Sequence, residues 1–417
     1  MVQNIRALWT RELVQRSRNI VAMDGAIMSH PRTWEASGHV EKFNDPMVKD
    51  LKTGTKYRAD HLLQSVLGID PTELSFEQMG ELLKSQNVLS PDGNQLSDVV
   101  VSSLMVQAEI NGQSLYLRGE TCQNIFPQFL NLVNSSNLKI PFGVLQTGKV
   151  FRNEVTARQF ILRMREFEQI EFEYFIDPED KTDWIGHWKE RFIDILDRHV
   201  GLPKERLRYR ELSDAERSHY AKFAYDLEFR LDNGDWLEMS PLNHRGDWDL
   251  RRHSEYSGKN LSYFDQKAGR RYTPHVIETS FGVSRLVYLV LDQGYREEIV
   301  PNTGENRIVL KLSPAIAPYK AAVLPLSNKP QLLEVAERIY ADLSTSFSVD
   351  HDTSASIGKR YRRQDEIGTP LCITVDFETA ETDTVTVRDR DTMAQERVST
   401  GALDSYIRER LGLTGER

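Results

Sequence analysis

Apolar residues recur along this chain with two periods, and the change from one to the other divides it into elements. Ile5, Leu8, Trp9 and Leu13 sit three to four positions apart, which predicts a helix over residues 4–16. NIVAMDGAIM follows as a strand and ends at His30-Pro31. Residues 45–115 read as an insertion, with helices near 58–68 and 76–85 and a Pro91-Asp92-Gly93 turn. LYLRGETCQNIF then leads into a helix-like FPQFLNLVNSS. From Gly143 to Ile176 the pattern is strand, loop, strand. In the second strand Ile170, Phe172, Tyr174 and Ile176 alternate with Gln169, Glu171 and Glu173, so Phe167, Gln169 and Glu171 share the polar face. That face lacks lysine, which suits a pocket floor better than plain solvent exposure.

Residues 184–202 form an amphipathic helix with Ile185, Trp188, Phe192 and Ile195 on one stripe. Strands are expected at YDLEFRL and DWLEMS, and a helix at VSRLVYLVLDQGY. The turn-rich VPNTGENR, residues 300–307, marks a domain boundary. Beyond it strands and helices alternate: RIVLKL, AAVLPL, a helix at 330–342, SVDHD, a helix from Ser356, PLCITVD, VTVRDR and a last helix from Gly401. This predicts a small α/β domain with a mixed sheet.

Composition narrows the class. The 417 residues suffice for two or three domains, and 39% hydrophobic with 28% charged content is ordinary for a globular protein. No apolar run is long enough for a bilayer. Cys122 and Cys372, the two cysteines, make no disulfide framework and lack zinc-ligand spacing, so a reducing, cytoplasmic setting and no zinc are expected. A net charge of −9 excludes nonspecific coating of nucleic acid. Any RNA contact must come from a local basic patch such as Lys359, Arg360, Arg362 and Arg363. A solvated helix face is the plainer reading of that run.

Two arginines stand among carboxylates: Arg152 in FRNE, running on to Phe167-Glu168-Gln169-Ile170-Glu171, and Arg285 at the end of ETSFGVSR, about 130 residues later. An arginine fork in a strand-loop-strand hairpin can grip a phosphate, and a helix start preceded by small residues offers amides to an anion. From residue type alone, a surface ion pair with Glu154 is the plainer reading of Arg152, and an ordinary first-turn ion pair is a common setting for Arg285. Glu120, Glu171 and Glu278 come from three segments, and a pocket of carboxylates suits a small ammonium group. Unrelated surface glutamates are the alternative.

The wording and order of these stretches resemble motifs 2 and 3 of a class II aminoacyl-tRNA synthetase, most of all the glycyl-tRNA synthetase family. AMDGAIMSHPRTWEASGHVEKFNDP is similar to that family's motif 1 region, where Pro31 and its helix would lie at a dimer interface. KYRADHLL, LRGETCQNIF, FEQIEFEYF, HYAKFAYDLE and GKRYRRQDEIGTP fall in family order across essentially the whole chain. The resemblance implies an α+β protein: a class II catalytic domain over 1–305, an antiparallel sheet flanked by helices with insertions about 45–115 and 178–222, then an α/β anticodon-binding domain over 306–417. It implies a cytoplasmic homodimer that joins glycine to tRNA(Gly) with ATP and Mg²⁺.

Carried over residue by residue, Arg152 would steady the α-phosphate, Phe167 would stack on adenine and Arg285 would hold the far end of the triphosphate. Asn153, Glu154, Leu162, Arg163, Met164, Arg165, Glu166, Met239, Gly282, Val283 and Ser284 would complete the ATP site, with Glu238 on Mg²⁺. Glycine would be held by Arg58, Glu120, Phe167, Glu168, Gln169, Ile170 and Glu171, and by Glu278, Thr279, Ser280, Phe281 and Gly282. Lys359, Arg360, Arg362 and Arg363 would meet tRNA.

There are departures. Family members begin tens of residues earlier, whereas Met1 here stands almost inside the motif 1 helix. Gly119, Cys122 and Asn124 replace proline, alanine and glycine, and Thr279 replaces proline. MSPLNH differs from the usual wording, and Lys49–Lys56 lacks the zinc-binding cysteines of some relatives. Other readings are a non-catalytic paralogue that binds RNA or a partner protein, and a synthetase for another amino acid such as histidine or threonine. Loss of the motif 2 and 3 arginines would mark the former, and both arginines are present.

Overall fold

The computed structural model describes the chain except residues 72–73, 156–159, 215, 218–221, 301–303 and 414–417. Part of HYAKFAYDLE and of the 300–307 break therefore lies outside the described residues. Two compact units emerge: one from residues 12–189 and 207–285, the other from 1–11, 190–206 and 286–417.

The first unit is built on a seven-stranded sheet in the order Ile20–Met23, Phe142–Phe151, Glu166–Ile176, His275–Gly282, Trp236–Gly246, Phe223–Arg230, Leu207–Glu211. The outermost pair at one edge is parallel and all other pairs are antiparallel. Alternation sends the two faces of Glu166–Ile176 into different surroundings. Phe172 and Tyr174 pack on Trp188, with ring centroids 4.5 and 4.9 Å away. The same strand also reaches an aromatic core, where Phe129, Phe142 and Phe175 stand 4.9–5.9 Å apart and pack with Phe126, Leu250 and Val276. Burying such rings stabilises the sheet by roughly 1.5–3 kcal/mol each. Gly148 is required at its position, because a Cβ there would collide with the Arg118 guanidinium. Arg118 is buried and donates to the carbonyls of Lys149 and Gly25, at 2.7 and 2.8 Å.

The 45–115 region has its own small core. Val48, Ala59, Leu63, Met79 and Leu83 pack between the strands Asn44–Lys49, Lys56–Arg58 and Val100–Ser103 and the helix Phe76–Ser85. Ser75 and Gln78 cap that helix reciprocally. The helix expected near 58–68 is a short α turn, Ala59–Leu62, continued by a wider turn, Leu63–Leu67. Lys49–Lys56 is tied down by the buried Asp50 carboxylate, which accepts from the Lys52 and Thr53 amides, Ser90 Oγ and Asn94 Nδ2.

The second unit carries a five-stranded mixed sheet, Val349–His351, Ala321–Pro325, Leu371–Val375, Thr384–Asp389, Gln395–Ser399, whose first two pairs are parallel and last two antiparallel. Leu332, Ala336, Ile339 and Leu343 of helix Pro330–Leu343 cover it with Ile407 of the last helix. Asp365, on helix Ile357–Ile367, is buried between Arg307 and Arg388, with closest approaches of 2.8 and 2.9 Å. Asn306–Leu310 pairs antiparallel with Tyr295–Ile299, so paired strands flank the expected break near 300–307. Asn4 Nδ2 donates to the Ala317 carbonyl at 2.7 Å, which ties the first helix into this unit. Among the described residues no helix is long and apolar enough to cross a membrane.

Candidate active site

One face of the seven-stranded sheet opens into a cavity of about 300 Å³. Cross-strand register builds its floor in rows. Gln146, Glu171 and Ser280 lie opposite one another on three neighbouring strands, and Val144, Glu173, Glu278 and Asn243 form the next row. Glu120 comes from the loop after the strand Gln113–Leu117. That loop is held by Gln146 Nε2, which donates to the Thr121 carbonyl at 2.5 Å, and by Thr121 Oγ1, which donates to Glu171 at 2.8 Å.

The floor is acidic, and each carboxylate has a distinct setting. Glu278 accepts from Asn243 Nδ2 and Arg245 Nη1, both at 2.9 Å. Arg245 is buried and also grips Asp249 through Nε and Nη2, at 2.6 and 2.7 Å. Glu120 accepts from Cys122 Sγ at 2.9 Å and Gln123 Nε2 at 3.0 Å, and His39 Nε2 stands 3.2 Å away. Burial raises the Glu120 carboxyl, but His39, Arg245 and the thiol outweigh it and hold the group well below the usual range. Glu171 goes the other way: burial, then Glu278 and Glu120, push it well up. Glu173 is pushed well up by burial, Glu278 and Glu171. Burial lowers His253 to about 4, so it is neutral where it meets Gln123 at 2.8 Å.

The mouth is basic. The Arg152 guanidinium lies 5.2 Å from the Phe167 ring centre and 5.1 Å from that of Phe43, and Nε donates to the Gly119 carbonyl at 3.1 Å. Arg285, two residues into helix Val283–Gly294, donates to the Glu238 carbonyl at 2.8 Å and meets its carboxylate at 3.2 Å. Opposite charge at the two ends fits a molecule with an ammonium at one end and phosphates at the other.

The cavity brings together most of the expected residues. Glu120, Glu171, Glu278, Gln169 and Ser280 line it with Arg152, Glu154, Arg163 and Phe167. Leu162, Met164, Glu238, Met239, Gly282, Ser284 and Arg285 complete that set. Others lie elsewhere. The Arg58 fork is taken by Asp45 and Asp60, at 2.9 and 2.5 Å, outside the cavity. Asn153 is exposed and donates to the Ser103 carbonyl. Arg165 turns to the Glu154 and Val155 carbonyls, and Glu166 pairs with Lys149. Ile170, Phe281 and Val283 are buried apolar residues that do not line the cavity, and Glu168 does not line it either. Thr279 is buried and donates to the Pro241 carbonyl at 2.8 Å. In the second unit, Arg360 is buried and donates to the carbonyls of Ser354, Pro325, Thr353 and Ala355, so it anchors a loop and is withdrawn from any RNA face. Lys359 is exposed, Arg362 meets Glu305 at 2.6 Å, and Arg363 pairs with Asp352.

Sequence reasoning missed Asn243, Arg245, Asp249 and Gln123, which orient the floor. It also missed that Cys122, Glu173 and Glu278 bring donor atoms within 4.8 Å of one another, since the three come from separate segments.

Comparison with known proteins gives the family. The family description "tRNA synthetase class II core domain (G, H, P, S and T)" matches residues 105–294, and "Anticodon binding domain" matches 320–410. The chain is 43% identical over 420 residues to the glycine–tRNA ligase of Geobacillus kaustophilus, covering 98% of this chain and 90% of that one. It is 41% identical to the glycine–tRNA ligase of Bacillus anthracis, with the same coverage, and 41% identical to that of Chlorobaculum tepidum, covering 99% and 92%.

Proposed function

Because the chain belongs to the glycine–tRNA ligase family of class II synthetases, we propose that the cavity above the seven-stranded sheet is where glycine meets ATP. The activity is ATP-dependent attachment of glycine to tRNA. The observation that carries the site assignment is the split of one cavity into an acidic floor and a basic mouth.

Glu120, Glu171 and Glu278 receive the ammonium group, and Arg152 and Arg285 hold the triphosphate with Phe167 against the adenine. A glycine carboxylate oxygen attacks the α-phosphorus, glycyl-adenylate forms and pyrophosphate leaves. The terminal ribose hydroxyl of tRNA then takes the glycyl group and AMP is released. No protein nucleophile is needed, because positioning and electrostatic stabilisation carry both steps. Mg²⁺ fits the donor chemistry at Glu238, an exposed carboxylate beside Arg285. Glu238 would hold it, and it would offset phosphate charge.

The match over 320–410 supports reading 306–417 as the tRNA-binding domain, with 1–305 as the catalytic part. Lys359, Arg362 and Arg363 are its proposed RNA contacts. A cytoplasmic homodimer completes the reading, and sedimentation tests the dimer. A non-catalytic paralogue is disfavoured because Arg152 and Arg285 both face the cavity. Amino-acid-dependent ATP–pyrophosphate exchange is the test. Glycine alone should support exchange, and exchange with another amino acid or with none would sink the reading.

A further inference from the structure

Glu173 is the one floor carboxylate that the proposed site does not use. It lies two residues after Glu171 on the same strand and directly opposite Glu278 on the next. It is fully buried, and neither of its oxygens has a hydrogen-bond partner. The Arg245 fork beside it is bonded to Asp249 and Glu278. On the neighbouring strand to the other side, the residue opposite Glu173 is the apolar Val144. The charged and titratable groups around it are Glu171 on its own strand, Glu278 and Arg245 on the neighbouring strands, Asp249 on helix Trp248–Ser257, and Glu120 and Cys122 on the loop. Arg245 is already committed to Asp249 and Glu278, so a negative charge on Glu173 would be buried without a counter-charge of its own, which costs far more than holding a proton.

We propose that Glu173 is a positioning residue of the glycine site, an uncharged carboxylic acid that fills the floor beneath Glu171 and Glu278 and keeps both carboxyl groups turned toward the ammonium group. This deepens the assignment of the cavity above and rests on it. Its setting supports the uncharged form: burial and the two neighbouring glutamates all raise the group. The thiol of Cys122 is likewise pushed up by burial and by Glu120, so the nearby sulfur keeps its proton too.

The test compares Glu173→Gln, which keeps shape and an uncharged donor, with Glu173→Ala, which removes both, in exchange assays on the full chain. E173A should raise the glycine KM at least tenfold while the ATP KM stays within twofold, and E173Q should restore most of that loss. The infrared band of buried protonated carboxyls should also be weaker in E173Q than in the unaltered protein, by one carboxyl's share, a readout that needs no glycine. Absence of glycine-dependent exchange in the unaltered chain would count against the site itself, whereas an effect confined to E173A speaks for Glu173. The proposal is overturned if E173Q is as damaged as E173A, if neither variant changes the glycine KM, if the infrared band keeps its full intensity in E173Q, or if zinc is found bound stoichiometrically through Cys122, Glu173 and Glu278.

Discussion

Glu120 and Glu171 are two carboxyls in one floor driven in opposite directions. Glu120 has His39 and Arg245 within its field and a thiol donor, so it is ionised. Glu171 sits between Glu278 and Glu120 and is pushed up. The ammonium group therefore meets a permanent charge at Glu120 first. Glu120→Gln should raise the glycine KM about ten- to hundredfold, since one charge-assisted hydrogen bond is worth ~1.5–3 kcal/mol. The ATP KM should barely move, and an unchanged glycine KM would remove Glu120 from the site. Protonated acids in the floor also leave a mark on stability. Glu171 and Glu173 are raised when folded and ionise normally when unfolded, so the folded chain binds more protons. Their contribution is complete below the unfolded value, near pH 4, and is lost as pH rises toward the folded value. Each contributes a slope of up to about 1.4 kcal/mol per pH unit in that window. Denaturation of E173Q between pH 5 and 8 should show a correspondingly weaker fall in stability than the unaltered chain, and parallel curves would refute it.

At the scale of elements, strand register does most of the work. Period-two alternation in Glu166–Ile176 puts Gln169 and Glu171 on the site's face from the amino-acid order alone, because that strand is regular over its whole length. The strand Trp236–Gly246 is opaque for a physical reason. Its register shifts between His244 and Gly246 and again opposite Leu227 and Glu228, and both of its faces mix polar with apolar residues, so nothing in the pattern marks the face from which Asn243 and Arg245 reach Glu278. The basic run at 359–363 misleads in a related way. A helix face that is charged in sequence can bury one arginine, and Arg360 meets enough carbonyls to do so. Spacing alone does not separate that arrangement from a fully solvated face. A second buried cluster in the same helix has an energetic consequence. Asp365→Ala would leave Arg307 and Arg388 without their shared carboxylate, which should destabilise the second unit by about 3–5 kcal/mol in urea denaturation. A loss below about 1 kcal/mol, the scale of an exposed pair, would mean that other acceptors take over.

At the scale of the whole molecule, the proposed function puts chemistry and RNA binding on different stretches of chain. Replacing Lys359, Arg362 and Arg363 by Gln, with Arg360 untouched, should raise the tRNA KM about tenfold. The slope of log affinity against log salt should become shallower by roughly 0.7–0.9 for each phosphate no longer neutralised. The exchange reaction should be unaltered. Equal tRNA binding across salt concentrations would assign RNA binding to another surface.

The second unit is assembled from residues 1–11, 190–206 and 286–417, and this bears on how the chain emerges from a ribosome. Asn4 finds its acceptor at Ala317, 313 positions later. At about 5–20 residues per second, that acceptor is made roughly 15–60 s after the asparagine. Ile5, Leu8 and Trp9 are fully or almost fully buried once folding is complete, and Trp9 packs on Phe192 at 5.9 Å, so part of this cover is made well before Ala317. The first helix thus stays incompletely covered, and open to a chaperone or protease, until residues 286–417 are made. Its protection should arrive in two stages, the first once 190–206 is made and the second once the chain beyond 286 is made.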